Sequence, residues 1–173
     1  TRALSVALAN AKTHGVDEQI DLREGDLLDP ILDLFQTIRT TSKKPVSSVY
    51  PFKHLIICAN LPYLSHTQME SLEPEVKIYE PKEALIAGTD GLESYFRLIK
   101  QLKKYREELP RQIVLLMEID PSQANRITQL VIHEFPESQR EIKKDLLGLD
   151  RLVITQLLDH PNLEPLPPTS RRH

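Results

Sequence analysis

A single cysteine in 173 residues, Cys58, excludes an internal disulfide framework. It lies inside an apolar run and reads as an inert core thiol, consistent with a reducing cytosol. No apolar run approaches the roughly 18 residues that a membrane span requires, and no signal peptide is expected. Excess positive charge is missing too. The net charge is −3, so no bulk cationic field invites RNA or DNA, and direct nucleic-acid binding is not expected. Six histidines are scattered without Cys or His ligand spacing, so no metal site is expected. The chain does not begin with Met, which fits a part of something longer.

What the chain does have is apolar material, 40% of its residues, enough for one domain with a real core. Its pivot is His54-Leu55-Ile56-Ile57-Cys58-Ala59-Asn60-Leu61-Pro62-Tyr63. The apolar part predicts a strand buried on both faces, as in a parallel α/β sheet, stopping at Asn60. Ligands of such sheets bind beyond the carboxyl ends of the strands, which puts residues 60–63 where chemistry is expected. The Asn60 side chain accepts through its oxygen and donates through its amide. Leu61 precedes a proline and is driven toward extended backbone, so its carbonyl direction is largely fixed. Tyr63 adds a flat ring and a hydroxyl. Two acceptors and a ring make a clamp for a planar group bearing NH2, a carboxamide or an exocyclic base amine, and can aim its nitrogen at an electrophile.

In the rest of the chain, helical spacing of Leu4, Ala7, Leu8 and Ala11 predicts a helix over 1–14, stopped by Gly15. Ile20 to Arg23 reads as a short strand and Glu24-Gly25-Asp26 as the turn at its end, setting Asp26 on the same rim as Asn60. Asp29 is the expected cap of a helix with Pro30 in its first turn, running to about Arg39. A polar loop over 40–50 follows. A short helix is expected at 65–72, then a turn-rich segment over 74–92 of the kind that lies over sites. Residues 92–109 predict an amphipathic helix burying Leu92, Tyr95, Phe96, Ile99, Leu102 and Tyr105, with Lys100, Lys103, Lys104 and Arg106 on a solvated face. Gln112 to Ile119 is the longest expected strand, and Ser122 should cap a helix to about Phe135. Strands at 140–145 and 151–157 are joined across 146–150, with Gly148 in the turn. Residues 159–173 are proline-rich and expected to be a disordered tail.

Asn60-Leu61-Pro62-Tyr63 resembles the Asn-Pro-Pro-Tyr signature of amino-group methyltransferases that use S-adenosylmethionine. The likeness extends to Glu24-Gly25-Asp26-Leu27-Leu28, Pro74-Glu75-Val76, Tyr79-Glu80-Pro81, Ala84-Leu85, Gly88 and Asp90-Gly91-Leu92. It continues through Glu118-Ile119, Gln123, Lys144-Asp145-Leu146 and Asp150-Arg151. Together these resemble the HemK/PrmC family, the release factor glutamine methyltransferases, and the loop from Tyr79 to Leu92 is the specific part. The resemblance implies an α/β, class I S-adenosylmethionine-dependent methyltransferase fold with a Rossmann-like sheet. Residues 1–158 would be a partial catalytic domain, the carboxyl-terminal portion without the first strands and the glycine-rich loop. The implied reaction is methylation of the side-chain amide nitrogen of the glutamine in the Gly-Gly-Gln motif of class 1 peptide chain release factors, in the cytoplasm. Carried across by position, Asp26, Leu27 and Asn60 would contact the cofactor. The Asn60 side chain and the Leu61 carbonyl would accept hydrogen bonds from the glutamine NH2, while Pro62 and Tyr63 pack on the amide plane. Asn60 and Tyr63 are thus the expected catalytic residues.

Three departures bear on this reading. Leu61 replaces the family's first proline, keeping the carbonyl but losing a fixed φ. Asn-Leu-Pro-Tyr is also the form seen in rRNA adenine dimethyltransferases, the alternative enzyme reading, against which stand the acidic balance and the family-specific loop. Asp120 stands where the family has Gly. The glycine-rich cofactor loop has no counterpart, because Gly15, Gly25, Gly88, Gly91 and Gly148 all have places elsewhere; the chain alone is therefore expected to be inactive. A reading of another class is a non-catalytic binding module that uses Glu80 and the lysine face. Plainer roles exist for single residues: Asp26 as a turn former, Tyr63 as core packing, Glu75 and Glu80 as surface charges, Glu118 as a tie to a neighbouring loop.

Overall fold

The computed structural model describes residues 1–32, 54–70, 75 and 81–158. In chain order they form helix α1 (Arg2–Thr13), strand β1 (His54–Ala59), the short helix α2 (His66–Glu70), helix α3 (Glu93–Lys104) and strand β2 (Gln112–Glu118). Helix α4 (Ala124–Glu134) follows, then strands β3 (Gln139–Lys144) and β4 (Asp150–Leu157). The strands make one sheet in the order β1-β2-β4-β3. β1 and β2 are parallel, and β4 runs antiparallel to both of its neighbours. This mixed sheet with crossover helices fits the α/β methyltransferase architecture expected from the sequence.

Alternation in β2 organises the core. Ile113, Leu115 and Met117 are buried and stand opposite Leu157, Thr155 and Val153 of β4. Leu55, Ile57 and Ala59 of β1 continue the same face. Over it lie Tyr95, Leu98, Ile99 and Leu102 of α3 with Ile127 and Val131 of α4. The apolar stripe of α3 is the expected one with one exchange. Tyr95, Ile99 and Leu102 are buried and Leu92 and Tyr105 pack on the core, but Leu98 is buried in place of Phe96, which is exposed beneath the Lys100 ammonium. The spacing 95, 98, 99, 102 is the i, i+3, i+4, i+7 pattern, and Phe96 lies about 100° round from Tyr95. The expected 1–14 helix is present and ends at Gly15 with φ +65°, yet of its stripe only Ala11 is buried and Leu8 is exposed.

Several expectations are corrected. β1 is not buried on both faces: among the described residues it pairs only with β2, and His54, Ile56 and Cys58 face solvent. Cys58 is therefore an exposed thiol and not a core one. Ile20 to Arg23 forms no strand, since no described strand pairs with it. Asp29 does not cap a helix; its carboxylate accepts from the Gln101 side chain, and the Leu28 carbonyl takes the first helical bonds. Asp120, not Ser122, caps the turn before α4: its carboxylate accepts from the Ser122 N–H at 2.9 Å, and Gln123 completes a capping box. The α3 cations are engaged, with Lys100 on the Glu134 carboxylate at 2.6 Å and Lys103 on the Glu134 carbonyl at 2.9 Å. Lys100 beside it holds the Glu134 carboxyl below its ordinary range. The β3–β4 hairpin is as expected, with Gly148 at φ +81° and the Asp145 carboxylate accepting from the Leu147 and Leu149 N–H groups. The expected helix beyond Leu32, the 40–50 loop, Glu80 and the 159–173 tail lie outside the described residues.

Candidate active site

Asn60 follows the last residue of β1 at the carboxyl end of the sheet. Its side chain is exposed and has no hydrogen-bond partner among the described residues, and the Leu61 carbonyl is likewise unused there. Leu61 and Tyr63 are half-buried and pack against the main core, so two free acceptors sit beside two anchored side chains. The chain beyond is locked. Leu64 donates its N–H to the Leu85 carbonyl and its carbonyl accepts from Ala87, each at 2.9 Å, forming a parallel bridge to Ile86. The turn-rich segment is thereby sewn to the exit of the tetrad.

The turn that follows reaches the tetrad directly. Gly91 has φ +72°, and a Cβ there would collide with the Tyr63 carbonyl and the Gln123 amide, so only glycine fits. Asp90 is fixed to α4 by Arg126 at 2.7 Å and to its own turn by the Leu92 N–H at 3.1 Å. The Arg126 hydrogen bond, then that of Leu92, holds the Asp90 carboxyl below its usual value. Gln123 donates to the Tyr63 carbonyl at 2.8 Å. Tyr95 is buried under the same spot and donates its hydroxyl to the Glu118 carbonyl. Burial first, then the neighbouring Tyr63 and Glu118, pushes the Tyr95 phenol far above its ordinary range.

Two of the expected cofactor residues, Asp26 and Leu27, lie on a turn beside α3. Asp26 is ion-paired with Arg97 of α3, and the Leu28 N–H donates to the Gln101 side chain at 2.9 Å, so the 26–28 turn is docked on α3. Leu27 adopts a left-handed φ of +52° and packs against the same core as Leu61 and Tyr63. The structure thus joins Leu27, Leu61 and Tyr63 through the core and turns the Asp26 carboxylate toward Arg97. Two residues given no role by the sequence reading, Gly91 and Gln123, complete the site. The capping-box spacing of Asp120 and Gln123 was a readable signal for the second. Among the described residues no cluster of three His, Cys, Asp or Glu side chains stands where it would hold a metal, and no helix is long and apolar enough to cross a membrane.

No protein-family model matches the chain. Similar curated proteins include "Release factor glutamine methyltransferase" of Bacillus anthracis, 29% identical over 155 residues, covering 90% of this chain and 47% of that protein. The protein of the same name from Thermodesulfovibrio yellowstonii is 37% identical over 109 residues, 61% of this chain and 38% of that one. The Bacillus subtilis protein, again of that name, is 29% identical over 151 residues, 87% of this chain and 45% of its own. A crystal structure of a protein-(glutamine-N5) methyltransferase (release factor-specific) from Alicyclobacillus acidocaldarius superposes with a TM-score of 0.29 at 16% identity, too distant to bear on the fold. The chain spans about half the length of the curated relatives it matches. Over nine tenths of its own length, its curated homologues are release factor glutamine methyltransferases.

Proposed function

We infer that residues 1–158 belong to the catalytic part of a glutamine methyltransferase, with Asn60-Leu61-Pro62-Tyr63 clamping the amide of its substrate. The observation that carries this reading is the contrast within the tetrad. Among the described residues the Asn60 side chain and the Leu61 carbonyl have no hydrogen-bond partner, while Leu61 and Tyr63 are packed and the Tyr63 carbonyl is tied down. Those two acceptors match the two N–H bonds of a carboxamide, and the Tyr63 ring offers its plane. The substrate proposed is the glutamine of the Gly-Gly-Gln motif in class 1 peptide chain release factors, and the compartment the cytoplasm.

S-adenosylmethionine, when bound, would supply an electrophilic methyl group to the amide nitrogen, its C–S bond breaking as the C–N bond forms, with a neutral thioether left behind and one proton released to water. The protein's part is alignment and charge stabilisation. The Asn60 oxygen and the Leu61 carbonyl hold both amide hydrogens, turn the nitrogen toward the methyl group and stabilise the positive charge growing on it. Asp26, Leu27 and Asn60 are proposed to hold the cofactor. The described residues fit only part of that molecule, because Gly15 closes α1, Gly25 packs on Pro30, Gly88 and Gly91 lie in the turns beside the tetrad and Gly148 turns the hairpin. None forms a glycine-rich cradle. The 173-residue chain alone is therefore expected to transfer no methyl group.

The test supplies the full-length protein with methyl-labelled S-adenosylmethionine, a release factor and ribosomal RNA, and locates the label by mass spectrometry. Label on a glutamine side chain, lost in Asn60→Ala by about two to three orders of magnitude, supports the reading. Label in RNA with none in the release factor overturns it.

A further inference from the structure

Gln123 touches neither proposed reactant, yet its side chain is 4% exposed and all of its hydrogen-bonding groups are committed to backbone. The amide oxygen accepts from the Asp120 N–H at 3.3 Å. The amide nitrogen donates to the Tyr63 carbonyl at 2.8 Å and the Gly91 carbonyl at 3.1 Å, with the Asp90 carbonyl at 3.5 Å. Three separate stretches meet at this one side chain: the end of β2, the exit of the tetrad and the turn at 90–91. The β2–β4 ladder reaches the first of these and the Leu64–Ile86 bridge lies just beyond the second, but neither includes Tyr63, Asp90 or Gly91. The absence of a Cβ at Gly91 lets the backbone close on Tyr63 and Gln123, so no other residue fits at position 91.

On the reading given above for residues 60–63, we propose that Gln123 is a positioning residue for methyl transfer, a clamp that sets the pitch of the tetrad. Holding the Tyr63 carbonyl fixes the backbone torsion beyond the Tyr63 ring, and hence the plane on which the substrate amide would lie. The same amide ties that plane to the Asp90-Gly91 turn, which Arg126 anchors to α4. Loosening the clamp leaves the acceptors present but misaimed. Alignment is sensitive to such shifts, and misplacement by about 1 Å from a remote change can lower a rate by about a hundredfold.

The substitutions Gln123→Glu and Gln123→Met separate the roles. Glu keeps the shape and the acceptor for Asp120 but turns an oxygen toward the Tyr63, Gly91 and Asp90 carbonyls; Met fills the volume and makes none of these bonds. In the full-length protein, kcat for the glutamine substrate is expected to fall at least about tenfold, with KM for S-adenosylmethionine within about twofold of the parent. Hydrogen–deuterium exchange should accelerate in peptides covering 61–65 and 88–92 and stay unchanged in β2 and β4. If Gln123→Glu does not fold, Gln123→Met carries the comparison. Unchanged kcat in a folded variant overturns the proposal, as does a loss of activity matched by faster exchange throughout the domain. If the parent protein methylates no glutamine, the functional reading fails separately, and exchange still decides the clamp: unaltered protection at 61–65 and 88–92 in Gln123→Met refutes it.

Discussion

The two faces of the sheet are made by the same strands but end in different surroundings. On one face Ile57, Leu115 and Thr155 lie side by side under α3 and α4. On the other Ile56, Val114 and Gln156 lie side by side, and Ile56 is 62% exposed. Ile56 and Ile57 are adjacent and chemically identical, so composition did not choose between them. The pleat sends successive side chains to opposite faces, and the helices cover only one of these among the described residues. A wholly apolar strand therefore does not by itself report two-sided burial.

This contrast can be tested in the 173-residue chain by urea denaturation. The largest effect is expected for Leu115→Ala on the covered face, a loss of about 2–5 kcal/mol through lost contacts and the cavity left behind. A loss below about 1 kcal/mol would mean that α3 and α4 do not pack there as described. Next is Thr155→Val. The Thr155 hydroxyl is fully buried without a hydrogen-bond partner among the described residues. Its removal should raise stability by about 1 kcal/mol, and a loss would reveal a partner for the hydroxyl in solution. Smallest is Ile56→Ser on the open face, expected within about 0.5 kcal/mol of the parent. A cost above about 1.5 kcal/mol there would show that the face is covered in solution, and would erase the contrast.

The same difference explains what the sequence could convey. The end of β1 and the tetrad were legible because their signals are local: an apolar run, an Asn, and a Pro that constrains the residue before it. The β3–β4 hairpin was legible through Gly148 and the alternation on either side of it. Cys58 was misread because strand burial depends on what packs above, which no local pattern states. Phe96 was placed in the α3 stripe because it is large and apolar, although Leu98 completes the 95, 98, 99, 102 spacing. The reach of Gln123 to Tyr63 spans 60 positions, and only the folded chain shows it. Asp26 was expected to face a ligand; the Arg97 that meets it is 71 positions away.

The position of β4 also bears on how the chain is made. β4 is the last described strand in chain order, yet it lies inside the sheet, between β2 and β3. On a ribosome, β2 would emerge with one edge waiting for a partner at least 34 residues further on, the separation of the Glu118–Leu152 pair. β3 would have no described partner at all until β4 arrived. Closure of the sheet must then wait for β4 to be made rather than track the synthesis of β2 and β3. During that interval, a few seconds at about 5–20 residues per second, the apolar edge of β2 is the part of the nascent chain most in need of protection.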